Sequence, residues 1–276
     1  MKHTAQDWIE NRSVTWCAHH ERLEAMLRPV NGPLMEALQL DAPYRIADVG
    51  CGAGDFSMQM QRFAPAGTTV EGFDVAPVMV ETAAAQAEHE HIPVTFKVAN
   101  VETWVPAEPM YHRLCSRFGV MFFENPERAF ANLRRWMVPD GRFTFAVWAE
   151  PERNAWSSTI MDVVGSLIEL PPDEPGSAGP FRYQNAAALL PILEGVGFRD
   201  IGCQNWVGEL PMGGALSAEE AANFALSSFG IGQTLAEHGE AALEEGKRLL
   251  AKRFATSYRD GAVWKSASVH LISGRA

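Results

Sequence analysis

The feature that most limits how this chain can fold is an alternation of short apolar runs with longer amphipathic stretches from Tyr44 to Trp148. Short runs bounded by turn residues read as strands, and stretches with apolar residues three and four apart read as helices. Strands are expected at Tyr44–Val49, Thr69–Asp74, Val94–Val98, Tyr111–Ser116 and Arg142–Trp148, and helices at Asp55–Phe63, Pro77–Glu88 and Pro126–Met137. The last of these helices should stop at Pro139-Asp140-Gly141, a cluster of breakers. Such alternation predicts an α/β fold in which a mostly parallel sheet carries helices on both faces.

The flanks have a different pattern. From Asp7 to Leu40, Trp8, Trp16, Leu23, Met26, Leu27, Leu34 and Leu38 recur at helical spacing, broken by Pro29, Gly32 and Pro33. That is a helical lead-in. After Trp148 comes a helical segment, and then the loop Pro171-Pro172-Asp173-Glu174-Pro175-Gly176, too rich in proline for regular structure. Asn185–Leu193 reads as helical, Phe198–Val207 as a strand, Ser217–Tyr258 as mainly helical and Ala262–Ile272 as the closing strand. No internal repeat and no linker divides the chain, so residues 1–276 are expected to form one domain. Its parts would be a helical lid (1–43), a cofactor-binding half (44–150) and insertions over the substrate site (151–184 and 208–258).

Composition narrows the choice of partner. The 276 residues are 47% hydrophobic and 21% charged, enough to bury a full core, and the formal charge is -11. Nucleic acid and anionic membranes need clustered Lys and Arg, and no such cluster is present. A small-molecule ligand is therefore expected, with the protein a monomer or homodimer. Cys17, Cys51, Cys115 and Cys203 form no CxxC pair, and no apolar run reaches membrane-spanning length, which fits a soluble protein of the reducing cytoplasm.

The most specific stretch is Ile46-Ala47-Asp48-Val49-Gly50-Cys51-Gly52-Ala53-Gly54-Asp55, a strand end, a glycine turn and a helix start. A dinucleotide fingerprint would need a third glycine at position 55, where Asp55 stands. The acid at Asp48 would also repel a pyrophosphate. A carboxylate beside a glycine turn instead suits a ligand bearing an ammonium group. Asp74, at the end of the second strand, lies at the spacing of an acid that takes ribose hydroxyls.

Together these residues, with Pro77-Val78-Met79-Val80, Ser116-Arg117-Phe118-Gly119 and Pro139-Asp140-Gly141, resemble the class I S-adenosylmethionine-dependent methyltransferases, in their quinone and small-metabolite branch. The resemblance runs from about Trp8 to the C-terminus. It implies a Rossmann-like, doubly wound, seven-stranded sheet with an antiparallel last strand, and S-adenosyl-L-methionine as cofactor. Carried over residue by residue, it implies that Asp48, Gly50, Cys51, Gly52 and Gly54 hold the methionine portion and Asp74 the ribose. Val75 and Met79 would cover one adenine face, Asn100 and Val101 would meet the adenine edge, and Ser116 would belong to the same site. The family usually has an aspartate where Asn100 stands, and the amide oxygen of asparagine can serve the adenine amino group.

The acceptor is less legible. Methyl transfer mainly requires alignment and desolvation, but a carbon acceptor beside a carbonyl also needs a base and an electrophile. His20 on the lead-in and His270 in the last strand both depart from the residue types usual in the branch. They could hold a divalent metal between them, or one could take the proton while Arg117 pairs with a substrate carboxylate. That combination would suit an α-keto acid. Methylation at oxygen or nitrogen of a phenolic or quinone-like compound is the alternative, and a non-catalytic S-adenosylmethionine-binding module is a third reading. Phe118, Phe122, Phe123, Trp148 and Trp156 would either line an apolar acceptor pocket or belong to the core.

Overall fold

Eight strands form among the described residues, and β1, β2 and β4 are each followed by a helix that crosses over to the next parallel strand. They are β1 (Arg45–Val49), β2 (Thr69–Asp74), β3 (Val94–Val98), β4 (Tyr111–Arg117), β5 (Met137–Trp148), β6 (Arg199–Pro211), the two-residue β7 (Tyr258–Arg259) and β8 (Ala262–Arg275). The computed structural model describes residues 5–170 and 176–276. Their order is β3-β2-β1-β4-β5-β8-β6, with β7 hairpinned onto β8. β1 to β5 run parallel, and β8 runs antiparallel to both β5 and β6. The expected fold class is therefore present. In β1 and β4 nearly every residue is buried, as central parallel strands covered on both faces require.

The helices are α1 (Ala5–Asp7), α2 (Ser13–Ala18), α3 (His20–Leu27), α4 (Asn31–Leu38), α5 (Asp55–Phe63), α6 (Pro77–His89), α7 (Pro126–Trp136), α8 (Ala155–Gly165), α9 (Leu190–Gly195), α10 (Ala218–Ser228), α11 (Ile231–Glu237) and α12 (Glu240–Ala255). The lead-in is helical, as its apolar spacing predicts, and its α1–α2 junction is a five-residue π-helical turn, Trp8–Arg12. The start of α10 is fixed by a capping box in which Ser217 and Glu220 satisfy each other's backbone amides. No helix among the described residues is long and apolar enough to cross a membrane.

Two expectations change. Pro139-Asp140-Gly141 does not break the chain. β5 begins at Met137 and runs through the cluster, and Asp140 takes a left-handed φ of 61°. The ladder with β4 slips between Tyr111 and Arg113, so the unpaired residues form a bulge, one of the few places in a sheet that tolerate proline. Asn185–Leu193 divides into a short 3-10 turn (Ala186–Ala188) and α9. Of the proline-rich loop, 171–175 lie outside the described residues.

Beneath the sheet, Trp136 closes an aromatic cluster with Phe73 (ring centroids 4.9 Å apart) and Trp104 (4.8 Å), and its indole N–H donates to the Trp104 carbonyl at 3.1 Å. Trp136 has no exposed surface. Trp136→Ala leaves a cavity that rigid strands on one side cannot fill, and should lower the unfolding free energy by about 3–5 kcal/mol. Urea denaturation measures this, and a loss below about 1 kcal/mol would show that the cluster can collapse into the space.

Candidate active site

Strand order reverses between β1 and β4, and in open α/β sheets ligands sit at such a switch point beyond the carboxyl ends of the strands. A cleft enclosing about 1240 Å³ of atom-free space, part of it open to solvent, lies there. Its floor is the turn between β1 and α5. Its sides come from the ends of β2, β3 and β4, and its roof from Trp8, Trp16, His20, Leu23 and Glu24 of the lead-in. No described residue beyond Glu124 lines it. The insertions expected over the site thus contribute no wall here. Part of them backs the lead-in instead, with the Phe224 ring of α10 lying 6.1 Å from that of His19.

Glycine is required where two turns meet. Gly50 has φ +67°, and a Cβ there would sit 3.0 Å from the Cα of Gly119, in the turn after β4. Gly54 has φ +87°, and a Cβ there would lie 2.6 Å from the Phe96 ring. Ser116 ties these ends together, its hydroxyl donating to the Val49 carbonyl at 2.7 Å and accepting from the Gly119 amide at 3.2 Å. Gly54 and Ser116 are therefore not among the residues lining the cleft. They support its floor, whereas Asp48, Gly50, Cys51, Gly52, Asp74, Val75, Met79, Asn100 and Val101 line it.

The Asp48 carboxyl is only 1% exposed. It accepts from the Ser57 hydroxyl at 2.5 Å, and the Cys115 thiol lies 3.6 Å from its other oxygen. Burial raises its pKa to about 6, against the opposing pull of the Ser57 hydrogen bond and the charge of Arg117. Asp55, on the first turn of α5, is also pushed up to about 6, by burial and then by Glu24. Asp74 accepts backbone N–H bonds on both oxygens, from Gly52 and Ala76, each at 3.0 Å. Burial raises its pKa and those two bonds lower it. Three desolvated carboxyls thus converge on one floor.

Arg117 lines the cleft, but both of its terminal nitrogens are engaged within the protein. It donates to both oxygens of Glu24 (3.0 and 2.5 Å) and to the Asn31 side chain (2.6 Å), and Asn31 in turn donates to Glu24 and Gln59. Burial alone would lower the Arg117 pKa, yet the charge of Glu24 and its hydrogen bond raise it. Sequence reading missed Glu24 and Asn31; the only signal was a glutamate on the apolar side of the lead-in helix.

The two histidines do not share a site. His20 lines the cleft, and its Nδ1 lies 2.8 Å from the Cys17 carbonyl, which assigns the proton to Nδ1 and leaves Nε2 as the basic nitrogen. His270 is not among the lining residues: its Nε2 donates to the Gln184 carbonyl at 2.8 Å, and its Nδ1 lies 2.6 Å from the Asn205 side chain. Both of its nitrogens are spent in joining β8 to β6 and to the segment before α9. The expected metal-holding pair is therefore corrected, and among the described residues no group of three or more His, Cys, Asp or Glu could hold a metal. The amide oxygen of Asn100 accepts from the Glu102 backbone at 2.9 Å.

The aromatic expectations divide. Phe118, Phe122 and Phe123 line the cleft, and Trp148 and Trp156 do not. Trp148 lies behind the wall, stacked on Phe118 at 4.0 Å between centroids and 8° between planes. Trp8, which lines the cleft, meets Trp16 edge-on at 5.4 Å and Phe122 at 5.1 Å.

Comparison with known proteins agrees with this architecture. The methyltransferase domain family matches residues 46–141. Demethylmenaquinone methyltransferase from Thermus thermophilus is 28% identical over 149 residues, 51% of this chain and 64% of that protein, so the chain spans less than two thirds of that relative. Among solved structures, the YcgJ protein from Bacillus subtilis superposes with a TM-score of 0.58 at 16% identity, covering 90% of this chain and 98% of that one. Phosphoethanolamine N-methyltransferase 2 from Haemonchus contortus, solved in complex with S-adenosyl-L-methionine, gives 0.60 at 14% identity over 99% and 60%. These two likenesses concern the fold. The family match takes in the glycine turn and the parallel strands from β1 to the start of β5.

Proposed function

We propose that the protein transfers the methyl group of S-adenosyl-L-methionine to an oxygen or nitrogen of a small molecule. The observation that carries this reading is the desolvated Asp48 carboxyl under the glycine turn, beside Asp74, which accepts from the Gly52 amide of that turn at 3.0 Å. Such a carboxyl gains from a cationic ligand what it lost on burial. The cofactor fits these residues: Asp48 with the Gly50–Gly52 backbone at its aminoacyl end, the remaining lone pairs of Asp74 at its ribose, and Val75, Met79 and Val101 around its adenine. When bound it supplies a methyl carbon on a leaving group already activated as a sulfonium.

The chain's own contribution is alignment and exclusion of water. Segment 1–43 is proposed as the lid, because its Trp8, Trp16, His20 and Glu24 roof the cleft. His20 is proposed as the base, its Nε2 taking the acceptor's proton. The expected carbon acceptor, an α-keto acid, finds less support. It needs Arg117 to hold a carboxylate and His270 to assist, and both are engaged elsewhere. Asn100 and Ser116 remain proposed as adjuncts of the cofactor site, Asn100 through the second lone pair of its amide oxygen.

Isothermal calorimetry with S-adenosylhomocysteine and the sulfonium cofactor tests the reading, and saturation of the same cleft by NADH with no heat from either nucleoside would overturn it. Because a cation favours ionised Asp48, affinity should be full above a pH of about 6 and fall as the pH drops below it. Asp48→Asn should weaken binding by about 1.5–3 kcal/mol and flatten that pH profile. His20→Ala should lower kcat by about a hundredfold with S-adenosylhomocysteine affinity unchanged. Equal loss in both would make His20 a binding residue.

A further inference from the structure

The charge of the cleft limits what can be methylated there, an inference that rests on methyl transfer as the activity. Among the described residues lining it, six side chains are carboxyls, Glu24, Asp48, Asp55, Asp74, Glu102 and Glu124, against one guanidinium, Arg117, and one imidazole, His20. An acceptor bearing a carboxylate or phosphate would need Arg117, whose planar fork matches two oxygens at once. Glu24 already fills that fork with two contacts, at 3.0 and 2.5 Å, and Asn31 takes a third donor. The pair is shielded, its side chains 13% and 8% exposed, so an incoming anion would have to displace a desolvated, hydrogen-bonded partner.

We propose that Glu24 is a specificity-determining residue: by occupying Arg117 it denies the cleft an anion site and restricts the methyl acceptor to molecules without negative charge near the reacting atom, with amines the class best matched to the walls. The walls bear this out in two independent ways. Trp8, Trp16 and Phe122 form a contiguous aromatic surface on the lead-in side, and aromatic faces attract ammonium groups. Asp55 lines the same cleft on the first turn of α5, with its proton affinity raised by burial. An ammonium arriving there must lose one proton before its nitrogen lone pair can accept a methyl, and Asp55 and the Nε2 of His20 are groups able to receive it.

The decisive measurement needs no turnover. The wild-type protein saturated with S-adenosylhomocysteine is titrated with sodium formate, the smallest carboxylate, and followed by thermal denaturation against sodium chloride at equal ionic strength. The wild type should gain no formate-specific rise in Tm. Glu24→Ala, which exposes the guanidinium, should gain one, and Glu24→Ala combined with Arg117→Gln should lose it again. A rise in the wild type equal to that of Glu24→Ala, or no rise in Glu24→Ala, overturns the proposal.

Glu24→Gln is the milder variant should the alanine protein fail to fold, with the same outcomes read as at least about a tenfold change in half-saturating formate. Independently, wild-type enzyme given methyl-labelled cofactor and a metabolite extract should place its labelled product in the fraction retained by a cation exchanger at neutral pH. Label retained by an anion exchanger overturns the proposal. Absence of any labelled product counts against methyl transfer itself, and the formate titration still decides the role of Glu24.

Discussion

The approach of two turns at the centre of the sheet sets everything around it. Gly50 and Gly119 meet closely enough that neither can carry a side chain, and Ser116 bonds both the strand before one and the turn after the other. Because the chain leaves β1 toward β2 and leaves β4 toward β5, on opposite sides of this point, a crevice opens above it. The crevice then inherits its chemistry from whichever residues end the strands. Asp48, Asp74 and Arg117 stand there because strand alternation and length deliver them, while the helices only close the remaining sides.

A buried charge is tolerated at such a place only when something repays its desolvation. Arg117 is repaid from within by Glu24 and Asn31. Asp48 is repaid only partly, by one hydroxyl and a thiol, which is why burial dominates its proton affinity. The two groups lie on neighbouring strands and face the same cleft, yet one is satisfied and the other is not. That contrast separates a charge satisfied within the protein from one that is not, and a residue list alone would not reveal it.

Much of the fold was legible in the sequence because local signals agreed with the global answer. The first four strands fall within a residue or so of their apolar runs, and the glycine turn announced both the switch point and the acids beside it. Pro139-Asp140-Gly141 misled because a bulge uses the same residues as a chain break, and only the register of the neighbouring strand distinguishes them. His270 misled because β6 supplies Asn205 directly across the ladder, a partner 65 residues away that no spacing discloses. Glu24 was invisible for the same reason, since its partner Arg117 lies 93 residues away. Pairings closed by tertiary contact leave no trace in local sequence, and in this cleft they decide which charged groups are free to act.

Phe118 carries a consequence of its own. Its backbone sits at φ +66°, a region costly for a bulky residue, held there by a hydrogen bond from its backbone N–H to the Ala146 carbonyl and by the flat contact with Trp148. One side of the crevice is therefore stiff, anchored to the interior of β5 and unable to yield to a guest. The opposite side meets the sheet where Glu24 of α3 pairs with Arg117 of β4, and farther out Trp8 and Trp16 rest on the rim through edge-on ring contacts. The contour of the enclosure is thus set like that of a mould, by a rigid aromatic plate on one side and a clasped ion pair on the other.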